Sequence, residues 1–535
     1  MSTGALVRRA ARGSTALRGG RVRRLTPYQL FGLLFWLLMT LAYWRLPPCC
    51  DAGRHAAAVE GLRAGLADPA VSPYVLAQGA VARLTGLTGW QVLRLCGPLN
   101  LLVLLTGLGR LVRVLTPRPF APVLALAFMA VLWGTEPAPG GGSVALLPLA
   151  GGLGYPSAFA LGLTFWAWAL TGARARDLRR VRYVGPTGLR SPTGYAALGV
   201  LYGVVALVDP VLGAGAAAGA AAFTAGRQRG WRAAVWLRWA LLCAVAAGVV
   251  ALGTHAHLPP QPYGRYDAMA TQCWLALLPG VPALWLRSRR AAEPHRDRPD
   301  RRPTGLSGGR ADLRAVGPSE DRADRRAAVL SEDRADRWAV GPSEDRSVWG
   351  VVWRDPLVLL FAAECLVMAA GGRRHGFGEL LGLALLAPQC ALAVELAAPR
   401  PWPGWRRVLG WATAAGACLG FLAAQAGAVV PRSVDPVGFV QPPRWPSYDW
   451  AVRHIGPGEP VVTDAYYAVR LLPGYGVELA DGHDHHPRVR WLLLTRRERL
   501  PAGAVVVDWS RRTGEVLARL TRTREPVAAR PTTRR

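Results

Sequence analysis

The sequence has no lysine, a single asparagine (Asn100) and a single isoleucine (Ile455), so all 64 of its basic residues are arginine. That bias reflects a GC-rich coding sequence. It weakens the reading that a net charge of +30 otherwise invites, a nucleic-acid partner. The arginines also collect in particular segments between apolar runs, the distribution that orients a chain across a membrane. Nucleic acid is therefore set aside as a partner. No C-x-x-C pair occurs among the eight cysteines, which removes the motifs built on that spacing. Six cysteines lie singly, mostly in apolar runs, where the residue acts as a small hydrophobe. Adjacent Cys49 and Cys50 read as two free or separately paired thiols.

What the chain has in quantity is apolar length. Of its 535 residues 51% are hydrophobic, and the mean hydropathy is positive. Apolar runs of roughly 17 to 22 residues recur, and a helix needs about 20 residues to cross the hydrocarbon of a bilayer. Eleven spans are expected, at 29–46, 95–112, 119–134, 157–173, 195–208, 210–226, 233–253, 269–286, 356–371, 378–397 and 408–430. Arginines between Arg8 and Arg24 precede the first run, which ends in Leu46-Pro47-Pro48 and lacks a small-residue cleavage site. This reads as a span entered from the cytoplasm, and not as a cleaved leader.

The expected organisation follows. A basic cytoplasmic N-terminus (1–28) leads into eight spans (29–286), with a first outer loop at 47–94. Residues 287–350 carry "SEDRADRRAAVL", "SEDRADRWAVGP" and "SEDR" at a 12-residue period, too polar to offset the entropy of ordering. They read as a disordered cytoplasmic insertion. Three further spans occupy 351–430, and an odd number of crossings puts the C-terminus outside. In the tail, 431–535, "EPVVTD" and "AGAVVVDWS" read as strands, whereas "AYYAVRLL", "RVRWLLLTRRERL" and "RRTGEVLARL" have helical spacing. The fold class is thus a polytopic α-helical membrane protein of about eleven transmembrane helices with a small extracytoplasmic α/β domain.

Eight of the nine histidines fall on the expected outer side, which directs the search for chemistry there. Asp51 and His55 open the first outer loop at a spacing that puts them on one face of a helix. In that helix Val59, Leu62 and Leu66 form an apolar stripe suited to the membrane surface. Asp51 suits three roles: general base toward a hydroxyl, ligand to a divalent cation (Mg or Mn) that bridges a lipid phosphate, or helix N-cap. Tyr263 and Arg265 in one outer loop, and Arg373, Arg374 and His375 in another, suit a phosphate or, for the arginines, headgroup contact. Asp209 and Glu136 lie near outer span ends, and Asp209 also suits a helix cap. Three histidines in "DGHDHHP" (481–487) are contiguous, a spacing at which ligands seldom converge on one metal.

An N-in first span, an acidic residue opening the first outer loop, an interfacial helix, further spans and an external C-terminal domain resemble the GT-C superfamily of membrane glycosyltransferases. The stretch "DAGRHAAAVEGLRAGLADPAVSPYVLAQGAVARLTGLTGW", followed by "LNLLVLLTGLGRLVR", is similar to the first-loop region of actinobacterial membrane proteins placed near that superfamily. "YPSAFALGL" and "SYDWAVRHIGPGEPVVTDAYYAVRLLP" are similar to later parts of the same group. The resemblance implies transfer of a sugar from a polyprenyl phosphate to an external acceptor, with Asp51 at the position of the catalytic acid. The DxD or adjacent acidic pair of some members is absent, since Asp51 is followed by Ala-Gly-Arg-His. A scaffold that keeps the fold without activity is the alternative. A lipid-linked sugar transporter is less favoured, because inverted repeats are not evident and charges within the spans are few.

Overall fold

A computed structural model describes residues 25–45, 52–65, 72–132, 146–177, 192–228, 233–253, 274–292, 355–371, 380–398, 404–429, 446–456, 459–480, 489–495, 500–501 and 503–520. Each of the eleven apolar segments coincides with a helix. These are α1 (Pro27–Arg45), α4 (Gly89–Leu115), α5 (Ala121–Val131), α7 (Pro156–Asp177), α8 (Thr193–Val208), α9 (Pro210–Arg227), α10 (Ala233–Gly253), α11 (Trp274–Ala292), α12 (Pro356–Gly371), α13 (Leu381–Leu396) and α14 (Gly404–Val429). Two stretches among the described residues, Gly89–Leu115 and Val235–Gly253, are long and apolar enough to cross a bilayer by length and composition alone. Between the apolar helices lie α2 (Ala52–Arg63), α3 (Pro73–Thr85) and the short α6 (Leu146–Gly152).

Local signals set the helix ends. Thr26 and Gln29 bond reciprocally before α1, as do Thr88 and Gln91 at α4, each pair satisfying backbone donors that no helical carbonyl reaches. Asp209 accepts from the Leu212 N–H at 3.0 Å and is followed by Pro210, so it caps α9.

Packing lashes α1 along α4. Tyr28, Trp36, Tyr43 and Trp44 donate to the carbonyls of Leu105, Pro98, Leu93 and Arg94 at 2.6, 2.8, 2.9 and 3.2 Å. The last bond compensates a defect, because Pro98 has no N–H for the Arg94 carbonyl four residues earlier. The other face of α1 is bare: Leu30, Leu33, Leu34, Leu37, Leu38 and Leu41 are 43–62% exposed. A continuous apolar face of this kind is unfavourable in water and at home in hydrocarbon. At the centre, α13 is buried from Gly382 to Glu395.

The tail differs from its sequence reading at two places. Around a short helix, α15 (Asp449–Val452), are strands β1 (Pro460–Thr463), β2 (Glu478–Leu479), β3 (Trp491–Leu494), β4 (Ala504–Trp509) and β5 (Val516–Leu520), in the order β2-β1-β3-β5-β4. Pairing is parallel for β1 with β2 and β3, and antiparallel for β5 with β3 and β4. The expected strands at 460–463 and 504–509 form, and "AYYAVRLL" is helical as α16 (Tyr466–Leu471), continued by a 3₁₀ turn, Leu472–Tyr475. "RVRWLLLTRRERL" and "RRTGEVLARL", expected to be helical, supply β3 and β5 instead. Trp491, Leu492 and Leu493 are all buried, as a strand flanked on both sides of a sheet requires, and such a run has no period to distinguish it from a helix. Gly514, at φ 76°, completes the turn that returns β4 to β5.

Candidate functional site

The tail module and the helical bundle meet on α2. One face of this helix, Ala52, Gly53, Ala56 and Val59, is buried. At Gly53 a Cβ would overlap the backbone carbonyl of Arg470 in α16, and at Gly89 one would overlap the carbonyl of Ala56. Glycine at these two points lets backbone approach backbone. Gly474 in the 3₁₀ turn lies under the indole of Trp90, whose ring centroid is 6.2 Å from that of Tyr475. The stripe expected to face the membrane surface is therefore covered by protein. Val59 is fully buried and Leu62 packs on Gly79 of α3, while Leu66 lies outside the described residues. With α3, α4 and the module on its apolar side, the described part of that stripe is turned to protein.

Glu60 holds the start of α4. Its Oε2 accepts the Gly89 N–H at 2.9 Å, and its Oε1 accepts from Arg63 Nε at 2.7 Å. A carboxylate at a helix N-terminus meets both unpaired donors and the positive end of the helix dipole. Sequence reasoning passed over this residue, whose signal was the Glu-x-x-Arg spacing directly after the apolar run Ala56-Ala57-Ala58-Val59.

His55 is half-buried on α2 with its ring edge-on to Tyr155, centroids 5.1 Å apart at 71°. Tyr155 ends the turn that follows α6, and that turn is pinned by the chain's one asparagine. Asn100, 2% exposed in α4, donates to the Tyr74 hydroxyl at 2.7 Å and to the Leu153 carbonyl at 2.8 Å. The sequence displayed Asn100 only as a rarity; a lone amide in a long apolar run was the available sign. Beside His55, Tyr43, Ala52, Leu93, Gly151, Gly154 and Tyr155 line a crevice too tight to admit water. Ala52 is the residue after Asp51, and α2 starts there.

Of the expected site residues, His55 is described. Asp51, Tyr263, Arg265, Arg373, Arg374 and His375 lie outside the described residues, as do Glu136 and the 481–487 histidine cluster. Among the described residues no group of three or more His, Cys, Asp or Glu side chains is placed to hold a metal ion. Glu60, the acid nearest in sequence to His55 on α2, has both oxygens engaged, so the described donors do not form a ligand set for Mg or Mn.

The module has its own polar features. Tyr448 is fully buried and donates to Glu515 Oε1 at 3.0 Å; burial, then the adjacent carboxylate, raises its hydroxyl pKa far above the usual range. On the surface Arg453 donates to Asp508 Oδ2 at 2.6 Å, and His454 lies 3.1 Å from the same oxygen. These hydrogen bonds, the Arg453 contact foremost, hold the Asp508 carboxyl at about 2.

No protein-family model and no curated protein matches this chain. Among solved structures it is similar to the archaeal oligosaccharyltransferase AglB from Archaeoglobus fulgidus in complex with an inhibitory peptide and a dolichol-phosphate. The identity is 12% and the TM-score 0.38, over 87% of this chain and 69% of that one. The Archaeoglobus fulgidus oligosaccharyltransferase complex with Zn and sulfate is similar at 13% identity and a TM-score of 0.32, over 87% and 68%. Its apo form gives 13% and 0.38, over 87% and 69%. At these values the likeness sets neither fold nor chemistry, which rest on the chain's own residues.

Proposed function

We propose that this chain is a membrane-embedded glycosyltransferase of the GT-C type, passing a sugar from a polyprenyl-phosphate donor to an extracytoplasmic acceptor during cell-envelope assembly. The observation that carries the reading is the position of α2. The segment that resembles the GT-C first loop is the one on which the bundle and the tail module close, with His55 at that junction. The bare leucine face of α1 supports placement in a bilayer. The proposed path has eleven spans in the plasma membrane, the N-terminus and 287–350 cytoplasmic, and the tail module outside. The closer kinship, to actinobacterial proteins near the superfamily, belongs to the same proposal.

In the reaction proposed, Asp51 takes the proton of an acceptor hydroxyl as its oxygen bonds to the sugar carbon. The bond from that carbon to the phosphate oxygen breaks, and the electron pair leaves with polyprenyl phosphate. Its charge needs electrostatic stabilisation more than protonation, which Arg265, Arg373 or Arg374 supplies, with Tyr263 and His375 beside them. His55, carried on the helix that follows Asp51, orients the acid. No step is routed through a metal.

Asp51→Asn should abolish transfer while expression and membrane insertion persist; full activity in that variant removes Asp51 from the mechanism. One observation favours a second reading, a scaffold without activity: the crevice that the described residues form beside Ala52 is too tight to admit water. A scaffold tolerates Asp51→Ala and loses its function when the tail from 431 is deleted.

A further inference from the structure

The helix that carries His55 is braced by groups far from it in the chain. His55 stands one turn into α2, half-buried, with its ring centroid 5.1 Å from that of Tyr155 and the ring planes at 71°. A half-exposed imidazole samples several rotamers unless a neighbour restricts it. Tyr155 supplies such a neighbour, so whatever fixes Tyr155 bears on His55.

Tyr155 closes the turn Gly152-Leu153-Gly154-Tyr155 between α6 and α7, its N–H donating to the Gly152 carbonyl at 3.0 Å. From the middle of α4, the Asn100 amide reaches two carbonyls of this turn, that of Leu153 at 2.8 Å and that of Tyr155 itself at 3.4 Å. It also donates to the Tyr74 hydroxyl at 2.7 Å, which ties α3 to the same point. The opposite side of the turn is held by α1. A Cβ at Gly154 would come within 2.6 Å of the Tyr43 hydroxyl and 3.0 Å of the Leu93 side chain, and Tyr43 is fixed in turn by its bond to the Leu93 carbonyl at 2.9 Å.

Satisfying two buried carbonyls would by itself be a structural role. What points further is where the turn lies. It bears on α2 at two places: Tyr155 meets the His55 ring, and Gly154 and Tyr155 line one crevice with Ala52, the residue after Asp51. Both ends of the segment Asp51–His55 are thus referred to a turn that the bundle holds rigidly, the arrangement by which a supporting shell fixes reacting groups.

We propose that Asn100 and Tyr155 are positioning residues of the transfer site. Asn100 fixes the backbone of the turn from within α4, and the Tyr155 ring sets the imidazole of His55. Neither touches the reacting atoms; they act through His55 and the start of α2. The assignment rests on the transfer reading given above.

The test reads the placement of His55 without turnover, in full-length protein in lipid nanodiscs with isotope-labelled histidine. Of the nine histidine ring signals, that of His55 is the one that His55→Gln removes. Beside an aromatic ring it should be displaced from the position of a free imidazole. Tyr155→Leu should abolish the displacement, and Tyr155→Phe, which keeps the ring, should retain it. Asn100→Leu should move the signal toward the Tyr155→Leu position. Asn100→Ser, a milder change whose side chain is too short to hold both carbonyls, should do the same, whereas Tyr74→Phe leaves both carbonyl bonds and should not. In transfer from radiolabelled polyprenyl-phosphate sugars, the Asn100 variants and Tyr155→Leu should lose about 10–100-fold in kcat with KM retained, the mark of a misplaced group and not of lost binding. An unmoved His55 signal in monodisperse Asn100→Ser, or an undiminished kcat, overturns the proposal. Wild type that transfers from no donor overturns the transfer reading beneath it, and the His55 signal tells that failure apart from failure of the brace.

Discussion

Replacing Gly53 by alanine puts two effects of opposite sign in competition. In a helix interior the change stabilises by about 1 kcal/mol, because alanine loses less backbone entropy than glycine, and in the first turn of α2, where Gly53 stands, the gain is smaller. In this fold the new methyl meets the Arg470 carbonyl, which is backbone and cannot rotate away. Forcing an extra carbon into a closed contact costs about 1–3 kcal/mol and more where the obstacle is main chain, so the overlap wins. The tail module should then detach more often from α2. Where opening is fast relative to cleavage, proteolysis follows the open population, and each 1.4 kcal/mol is tenfold. Limited proteolysis of the full-length protein in detergent, read as the rate of loss of residues 446–520, should rise by about tenfold. Gly61, on the same helix with open space around its Cβ position, is the control: Gly61→Ala should leave the rate unchanged or lower it. A Gly53→Ala protein that resists protease as well as wild type, or better, would refute the docking of the module on α2.

Two further outcomes follow from the same geometry. Asn100→Leu keeps the number and branching of side-chain heavy atoms but removes the amide donor to the Leu153 carbonyl and the Tyr74 hydroxyl, at about 1–3 kcal/mol each. Thermal unfolding should fall accordingly, and adding Tyr74→Phe should restore part of the loss in a double-mutant cycle. Asp508 has a folded-state pKa depressed from 3.8 to about 2, first by the Arg453 hydrogen bond, so its contribution is present above 3.8 and lost as pH falls toward 2. Glu459, lowered by its bonds to the Gly456 N–H and the Trp491 indole, acts in the same direction. Module stability should therefore decline through that acid window, and Asp508→Asn should flatten the decline. The effect should shrink in high salt, because the Arg453–Asp508 pair is on the surface.

The eleven apolar segments were legible because burial in a bundle and contact with lipid both demand continuous apolar length, which a sequence displays directly. The cap at Asp209 was legible for a similar reason, being local chemistry beside a proline; those at Thr26 and Thr88 appear only with the structure. The strands at 491–494 and 516–520 were not, since Trp491-Leu492-Leu493-Leu494 is apolar at every position and a central strand imposes no alternation. The partner of α2 was hidden too. An apolar stripe states that something covers it, but whether lipid or a module about 400 residues later does so depends on tertiary contacts. Glu364 stood in view as an acid within "LLFAAECLVMAAG", and a count of charges in the spans as few passed over it. That it is fully buried, with no hydrogen-bond partner among the described residues, emerges only when the helices are assembled.

Sugar transfer itself is the most direct test of the proposed function. Membranes containing the wild-type chain, with folding verified by monodispersity after extraction, would be supplied with a panel of radiolabelled polyprenyl-phosphate sugars and envelope acceptor material. The account predicts that at least one donor loses its label to the acceptor fraction, and that membranes lacking the chain do not carry out the transfer. Folded protein that transfers from no donor in the panel would contradict the glycosyltransferase reading in favour of the scaffold.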